Sequence, residues 1–293
     1  MPQKNPKVSI SARVYNQGKF IAQAIESVLM QQVNFDYEFI AGEDCSQDNS
    51  RAILIDYQKR YPDKIRLLLP ERNIGRHNNF IQTLHASRGQ YIALLDGDDY
   101  WTSPQKLQKQ VDFLDNNPQC ALCFHNVNLV YESNRESHPY HQEKLNSILT
   151  LKDLLHRNFM PTSSVMVRNN LVREFPQWFY SVTFCDWPFF LLSAQHGDIG
   201  YLDEIMGVYR IHSGGVWARS YERVGEGRIK HYQADLQFFK VINEHFGYKY
   251  DVLLTQEVQR RHVLIRKESF KLRMATLFPT VYDMFRRLKY GRA

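Results

Sequence analysis

The chain lacks any long apolar run. Nowhere do the roughly 18–20 uninterrupted hydrophobic residues of a membrane-spanning helix occur. The opening Met1-Pro2-Gln3-Lys4-Asn5 lacks the apolar stretch of a secretory leader, so a cytoplasmic protein is the expectation. Cysteine is scarce: Cys45, Cys120, Cys123 and Cys185 are too few in 293 residues for a disulfide framework. Cys120-x-x-Cys123 has no second pair to complete a zinc ligand set. It sits in an apolar, strand-like run and reads as core. Internal repeats and low-complexity segments are absent. So are two phosphate-binding signatures. No G-x-x-x-x-G-K-[ST] occurs, which excludes a P-loop NTPase. No G-x-G-x-x-G follows the first strand, which argues against a dinucleotide cofactor. A phosphate site here must lean on a metal rather than on a glycine nest.

What is present is a globular composition, 43% hydrophobic and 23% charged. The net charge of +6 is unevenly spread. From Thr255 onward, Arg260, Arg261, Arg266, Lys267, Lys271, Arg273, Arg286, Arg287, Lys289 and Arg292 face only Glu257, Glu268 and Asp283, while the preceding body is near neutral. The basicity belongs to an appendage. That body argues against nucleic acid as the main partner.

The first hundred residues alternate strand and helix patterns. Strands are expected at Lys7–Val14, Glu38–Ala41, Ile65–Leu69 and Tyr91–Leu95. Helices are expected around Phe20–Leu29, Ile53–Tyr61 and Phe80–Ala86, the last ended by Gly89. Repeated βα units imply an α/β fold with a mainly parallel sheet and right-handed crossovers. Later come a helix opened by Ser103-Pro104, a strand from Cys120 to Val130 and a polar loop from Glu132 to Ser147. A short helix at Leu151–Arg157, a strand at Ser163–Val167, a helix near Trp187–Gln195 and a strand at Tyr201–Arg210 follow, then two or three helices.

Each early strand is followed by polar or glycine residues: Tyr15-Asn16, then Glu43, Asp44, Ser46 and Asp48, then Asn73 and Gly75, then Asp96, Asp98 and Asp99. In an open α/β sheet, ligands bind outside the carboxyl ends of the strands, and all four clusters fall there. Three carboxylates within Asp96-Gly97-Asp98-Asp99 repel one another unless a cation balances them. Oxygen-only donors suit Mg²⁺ or Mn²⁺ with substrate phosphates. Gly97 would let the backbone approach a ligand closely.

These segments resemble glycosyltransferase family 2, of GT-A fold. The likeness runs through Val8-Ser9-Ile10-Ser11-Ala12-Arg13-Val14-Tyr15-Asn16, Gly42-Glu43-Asp44-Cys45-Ser46-Gln47-Asp48, Asn73-Ile74-Gly75 and Leu94-Leu95-Asp96-Gly97-Asp98-Asp99. It spans roughly residues 7–115 and weakens beyond Cys120. It implies an inverting, bacterial-type enzyme of polysaccharide or glycan synthesis. The donor would be a UDP-, dTDP- or GDP-linked sugar and the acceptor a carbohydrate or a lipid-linked glycan. The nucleotide-sugar would meet Ala12, Tyr15, Glu43, Asp44, Asp96, Gly97 and Arg210. Asp44 would accept from the base, and Tyr15 would flank it. Asp98 would be the direct metal ligand, with Asp96 meeting the ribose or a metal-bound water. The family's Ala-Arg-Asn is replaced by Asn79-Phe80-Ile81, so either Arg76 takes over the diphosphate contact or nothing does. Phe184-Cys185-Asp186-Trp187-Pro188 resembles the motif of the general base, Asp186, although Asp186 would also suit a helix cap. Tyr209-Arg210-Ile211-His212 resembles the late R-x-H. There His212 would join the metal or the diphosphate, with Gly214 and Gly215 as loop hinges. Trp217 is either a sugar-stacking face or a packed aromatic.

The expected organisation is a catalytic domain over 1–225, divided into a donor half (1–118) and an acceptor half (119–225), with a basic helical extension over 226–293. The extension carries apolar stripes at Phe270, Met274 and Phe278 and at Leu277, Val281, Phe285 and Leu288. Either these dock on the anionic inner face of the membrane, or they pack on the protein or on a second subunit. Two other classes stay open. One is a haloacid-dehalogenase-like phosphatase, which wants Thr or Val where Tyr100 stands. The other is a non-enzymatic membrane or nucleic-acid binder.

Overall fold

The computed structural model describes residues 5–132, 135–215 and 226–278. They fall into two compact units: one of residues 1–180 and 184–210, the other of 181–183 and 211–293. The expected boundary was 225/226. Contacts divide the units after Arg210, and residues 216–225, which lead up to that expected boundary and include Trp217, lie outside the described residues.

The first unit is built on β1 (Val8–Val14), parallel to β2 (Tyr37–Glu43) on one side and to β4 (Tyr91–Asp96) on the other. β3 (Ile65–Leu68) extends the sheet beyond β2. β1 and β2 are almost wholly buried, as continuous apolar sequence demands of strands covered on both faces. The crossovers carry α1 (Ile21–Leu29), α2 (Ser50–Arg60) and α3 (Arg76–Ala86). Past β4 the sheet turns antiparallel. β9 (Met166–Arg168) pairs with β4, and β6 (Cys120–Tyr131) pairs with β9. β10 (Asp198–Ile211) and β5 (Tyr100–Trp101) complete the order β3-β2-β1-β4-β9-β6-β10-β5. The short strands β7 (His138–Pro139) and β8 (Ile148–Leu149) attach to β6 and β10. The helices of this half are α4 (Lys106–Asn116), α5 (Leu151–His156) and α6 (Asp186–Ala194). In the second unit α7 (Glu226–His245) packs on α8 (Asp251–Leu277).

Three local expectations are corrected. Gly89 is not a left-handed helix cap. α3 ends at Ala86, and a Cβ on Gly89 would sit 2.5 Å from the Ser9 backbone nitrogen, so glycine is needed for close approach to β1. Pro104 lies ahead of α4 rather than in its first turn, and its carbonyl accepts from the Gln32 amide at 2.8 Å. The strand expected from Ser163 begins at Met166, because Thr162–Ser164 form a 3-10 turn closed by the Ser164 hydroxyl on the Pro161 carbonyl at 2.6 Å. The C-x-x-C cysteines are free and fully buried. Burial pushes the Cys123 thiol far above its usual range, so it stays protonated and inert.

α4 buries a lysine. Lys106 is fully enclosed, its amine lies 3.8 Å from the centre of the Trp101 ring, and no hydrogen-bond partner reaches it. A desolvated cation–π contact supplies about 2 kcal/mol, whereas burying an unpaired ammonium costs several, so the neutral amine wins. Burial accordingly holds the Lys106 pKa well below the ordinary lysine value. Between the lowered pKa of the folded state and about pH 10 the unfolded chain therefore binds a proton that the folded chain does not, and stability rises with pH by up to about 1.4 kcal/mol per unit from this group. Lys106→Met should remove that slope. Urea unfolding of both proteins between neutral pH and pH 9 should show the wild type gaining on the variant as pH rises. Parallel curves would mean that Lys106 is charged in the fold.

Candidate active site

Because β1, β2, β3 and β4 are parallel, their carboxyl ends share one edge, and the polar clusters after them form one hydrogen-bonded frame. Glu43 is fully buried. One of its oxygens accepts from the Ser46 amide at 2.6 Å and the other from the Arg51 guanidinium. Asn16 adopts φ 53° and Cys45 φ 58°, left-handed values unusual outside glycine. Their loops are tied by the Asn16 amide donating to Ser46 Oγ at 2.9 Å and the Gln47 amide donating to Asn16 Oδ1 at 2.8 Å. The buried Asp44 carboxylate accepts from the amides of Ile74 (2.7 Å) and Gly75 (3.0 Å), and the Asn73 side chain donates to the Asp44 carbonyl at 2.8 Å. Gly75, at φ 84°, makes that turn possible. Glu43 and Asp44, read from sequence as nucleotide contacts, thus shape the loops around such a pocket. Tyr15 is about half exposed beside them, at 47%.

Two residues expected to meet the nucleotide-sugar lie in packed surroundings. Ala12 is completely buried in the core, flanked in register by Ala41 and Leu95, and offers a ligand no surface. Gly97 is small for packing. A Cβ there would meet Gln17 Oε1 at 2.4 Å and press on Ile21 and Val14.

The acidic turn at the end of β4 is balanced from within. Arg13, near the end of β1 and paired in register with Asp96, donates through Nε to Asp96 Oδ1 and through Nη2 to Asp96 Oδ2, both at 2.8 Å. The fork is mostly enclosed, and the Arg13 guanidinium also stacks 5.0 Å from the centre of the Phe80 ring. Burial raises the Asp96 pKa, and the adjacent guanidinium opposes that rise. Asp99 is buried at 1% exposure. Its Oδ1 accepts from the Arg210 amide at 2.9 Å, and its Oδ2 has no partner. Desolvation, then the neighbouring Asp98 charge, lifts the Asp99 pKa well above the carboxylate range. Of the three acids in this four-residue turn, the chain itself thus pairs one. Asp96 is paired with Arg13, Asp99 is buried against the Arg210 amide, and Asp98 is half-buried.

Arg210 closes the turn from β10. Its guanidinium donates to the Asp98 carbonyl (2.9 Å) and to Gln23 Oε1 (2.7 Å), and it lies over the rings of Phe20 and Tyr100. Next to it, burial and then the charges of Asp99, Asp98, Asp96 and Asp186 hold the Tyr209 phenol well above its ordinary pKa. Asp186 therefore joins the acidic turn across the sequence. It is the first residue of α6, not its cap. Cys185 holds the cap position, and the Asp186 carboxylate accepts from Asn158 Nδ2 (3.2 Å) and Thr162 Oγ1 (3.3 Å). Arg76, exposed at the start of α3, lies close enough to act on Cys185. His212 belongs to the second unit, where it is buried and its carbonyl accepts from the Gly215 amide at 2.9 Å. Arg13 and Tyr209 stand in the quoted motifs, but nothing in the spacing singles them out as members of the site.

Among the described residues no three His, Cys, Asp or Glu side chains form a metal cage. The oxygen donors of this turn fit a cation of the Mg²⁺ type that takes one or two carboxylates and fills its shell from substrate phosphates.

Comparison with known proteins adds three findings. The family described as "Glycosyl transferase family 2" matches residues 9–176. An uncharacterized protein of Mycobacterium bovis is 38% identical over 215 residues, which cover 73% of this chain and 61% of that protein. The chain thus spans under two thirds of the length of that relative. A putative teichuronic acid biosynthesis glycosyltransferase, TuaG of Bacillus subtilis, is 34% identical over 130 residues, covering 44% of this chain and 50% of TuaG. Among solved structures, S. aureus TarS 1–349 in complex with UDP-GlcNAc superposes with TM-score 0.59 at 18% identity, over 98% of this chain and 93% of that one. The mannosyltransferase PcManGT from Pyrobaculum calidifontis, with GDP-Man and Mn²⁺, gives TM-score 0.61 at 14% identity, over 94% and 77%. The fold is GT-A.

The Arg13–Asp96 fork yields a direct test. Arg13→Met leaves a buried carboxylate without its counter-charge and should cost about 3 kcal/mol, the low end for breaking a buried pair. Replacing both partners with apolar residues, Arg13→Met with Asp96→Leu, should recover most of the loss. Urea denaturation of the wild type, both single variants and the double variant measures the coupling. A coupling energy near zero would show that the fork does not hold the turn.

Proposed function

The chain belongs to glycosyltransferase family 2, and on that basis we propose that it transfers a sugar from a nucleoside-diphosphate donor to an acceptor hydroxyl in polysaccharide or glycan synthesis, with inversion at the anomeric carbon. The observation that carries this reading is the convergence of Asp186 with the Asp96-Gly97-Asp98-Asp99 turn around Tyr209. It brings an acid from the divergent half of the chain to the edge where an α/β sheet binds ligands. The donors bound in the TarS and PcManGT structures support a nucleotide-sugar. The likeness to TuaG supports a cell-surface polymer as product. Neither the phosphatase nor the non-enzymatic reading gains support.

In the proposed reaction Asp186 accepts the proton of the acceptor hydroxyl. That oxygen attacks the anomeric carbon from the face opposite the diphosphate, and the glycosidic carbon–oxygen bond breaks with its electron pair passing to the diphosphate. Asn158 and Thr162 aim the carboxylate. A Mg²⁺ or Mn²⁺ on Asp98, when bound, neutralises charge on the leaving diphosphate. Arg210 adds a fixed guanidinium beside Asp98, and Arg76 stands as a second cation for the phosphates. The Asn73-Ile74-Gly75 turn and Asp44 frame the base, with Tyr15 against its face.

Two substitutions test the assignment. Asp98→Asn should abolish transfer, and with it the thermal shift that a UDP-, dTDP- or GDP-sugar gives with Mn²⁺ and loses on adding EDTA. Asp186→Asn should keep that shift while lowering kcat by about a hundredfold or more, because it removes a proton acceptor rather than a donor contact. Loss of donor binding in Asp186→Asn with unchanged turnover of bound donor would make Asp186 a structural residue.

A further inference from the structure

Within the second unit, α8 is a 27-residue helix that buries Leu254 together with three charged residues, Glu257, Arg261 and Glu268. Arg261, nearly enclosed, donates to Asp235 of α7 at 2.7 Å and to Glu257 at 2.9 Å, and Lys271 donates to the buried Glu268 at 2.5 Å. Leu264, Ile265 and Leu272 are half-buried, but a second set of apolar residues stands on the outside. Val252, Val263, Phe270 and Leu277 are 75%, 62%, 65% and 68% exposed. At 100° per residue they fall within about 40° of a single line along the helix, a stripe about 38 Å long. Arg260 and Lys267 flank it on one side, Arg266 and Arg273 on the other, and all four are exposed. The acids of α8 beyond its first residue are the two buried ones, Glu257 and Glu268. The outward face thus offers hydrocarbon and positive charge, with negative charge only at Asp251.

We propose that this face of α8 docks the protein in the plane of an anionic lipid surface, with Val252, Val263, Phe270 and Leu277 entering the acyl boundary and the four flanking cations meeting lipid phosphates. It is the exposed arc of α8, not the helix as a whole, that sets apolar side chains between basic margins, the pairing a contact in the headgroup plane uses. Among the described residues no helix is long and apolar enough to cross a membrane, so the contact is peripheral. A second copy of the chain is the competing occupant. Two such faces brought together would set Arg260, Arg266, Lys267 and Arg273 against their own kind with no acid between them, and like charges at that range oppose association. In sequence the same sign continues, with Arg286, Arg287, Lys289 and Arg292 against Asp283. The inference stands on the surface of α8 alone and does not depend on the catalytic reading.

Co-sedimentation of the full-length chain with vesicles of phosphatidylcholine plus phosphatidylglycerol, against pure phosphatidylcholine, tests it. The protein should pellet with the anionic vesicles at low salt, stay in solution with the neutral ones, and be released as salt rises. The double variant Phe270→Glu with Leu277→Glu alters exposed positions only, and its circular dichroism should match wild type. It should lose about tenfold or more in vesicle affinity. Arg266→Gln with Arg273→Gln should weaken binding and flatten its salt dependence. Wild type remaining in the supernatant with anionic vesicles, or equal binding by the Phe270 and Leu277 variant, would overturn the proposal. So would a concentration-dependent dimer, seen by sedimentation velocity, that the same variant abolishes.

Discussion

The ion pair between Arg13 and Asp96 is the constraint on which the candidate site turns. It forms because β1 and β4 are neighbours in a parallel sheet, in a register that sets Arg13 opposite Asp96 at their carboxyl ends. Two hydrogen bonds of 2.8 Å fix the plane of the carboxylate and hence the start of the acidic turn. Without a fixed cation, Asp96, Asp98 and Asp99 would crowd negative charge at a place where little water reaches. With it, one acid is paired. A second, Asp99, has its pKa raised by burial, while the hydrogen bond it accepts from the Arg210 amide opposes that rise.

This arrangement separates two uses of acidic residues that look alike in sequence. Glu43, Asp44 and Asp96 spend their hydrogen-bonding capacity on loops and on Arg13. They build the edge of the sheet into a preorganised frame. Asp98 and Asp186 carry the chemistry proposed for the site. The frame matters for any such chemistry, because a site held by neighbouring loops need not reorganise when charge moves through it. The same economy of charge runs through the interior, where Lys106 is kept as a neutral amine under Trp101.

Sequence by itself determined the element order of the first hundred residues, the parallel sheet and the family. Those follow from local periodicity and from short motifs whose residues act near one another in the chain. It also placed Asp186 at the opening of a helix. Tertiary structure alone decided which residues share the site. Arg13 reads in sequence as one more strand residue, and only its register against Asp96 makes it a partner. Tyr209 reads as part of a strand end, and only the meeting of β10 with the acidic turn sets it among four carboxylates. Ala12 and Gly97 were legible as motif positions but not as packing residues, because a motif records that a side chain is small without recording what presses on it. On α8 the sequence pattern put Phe270 and Leu277 in two different apolar stripes and did not single out Val252 or Val263. Which face turns outward was fixed by the burial of Arg261, Glu257 and Glu268 against the expectation that charges stay outside. A helix buries whichever face finds partners, and no one-dimensional pattern names those partners when they lie on another helix.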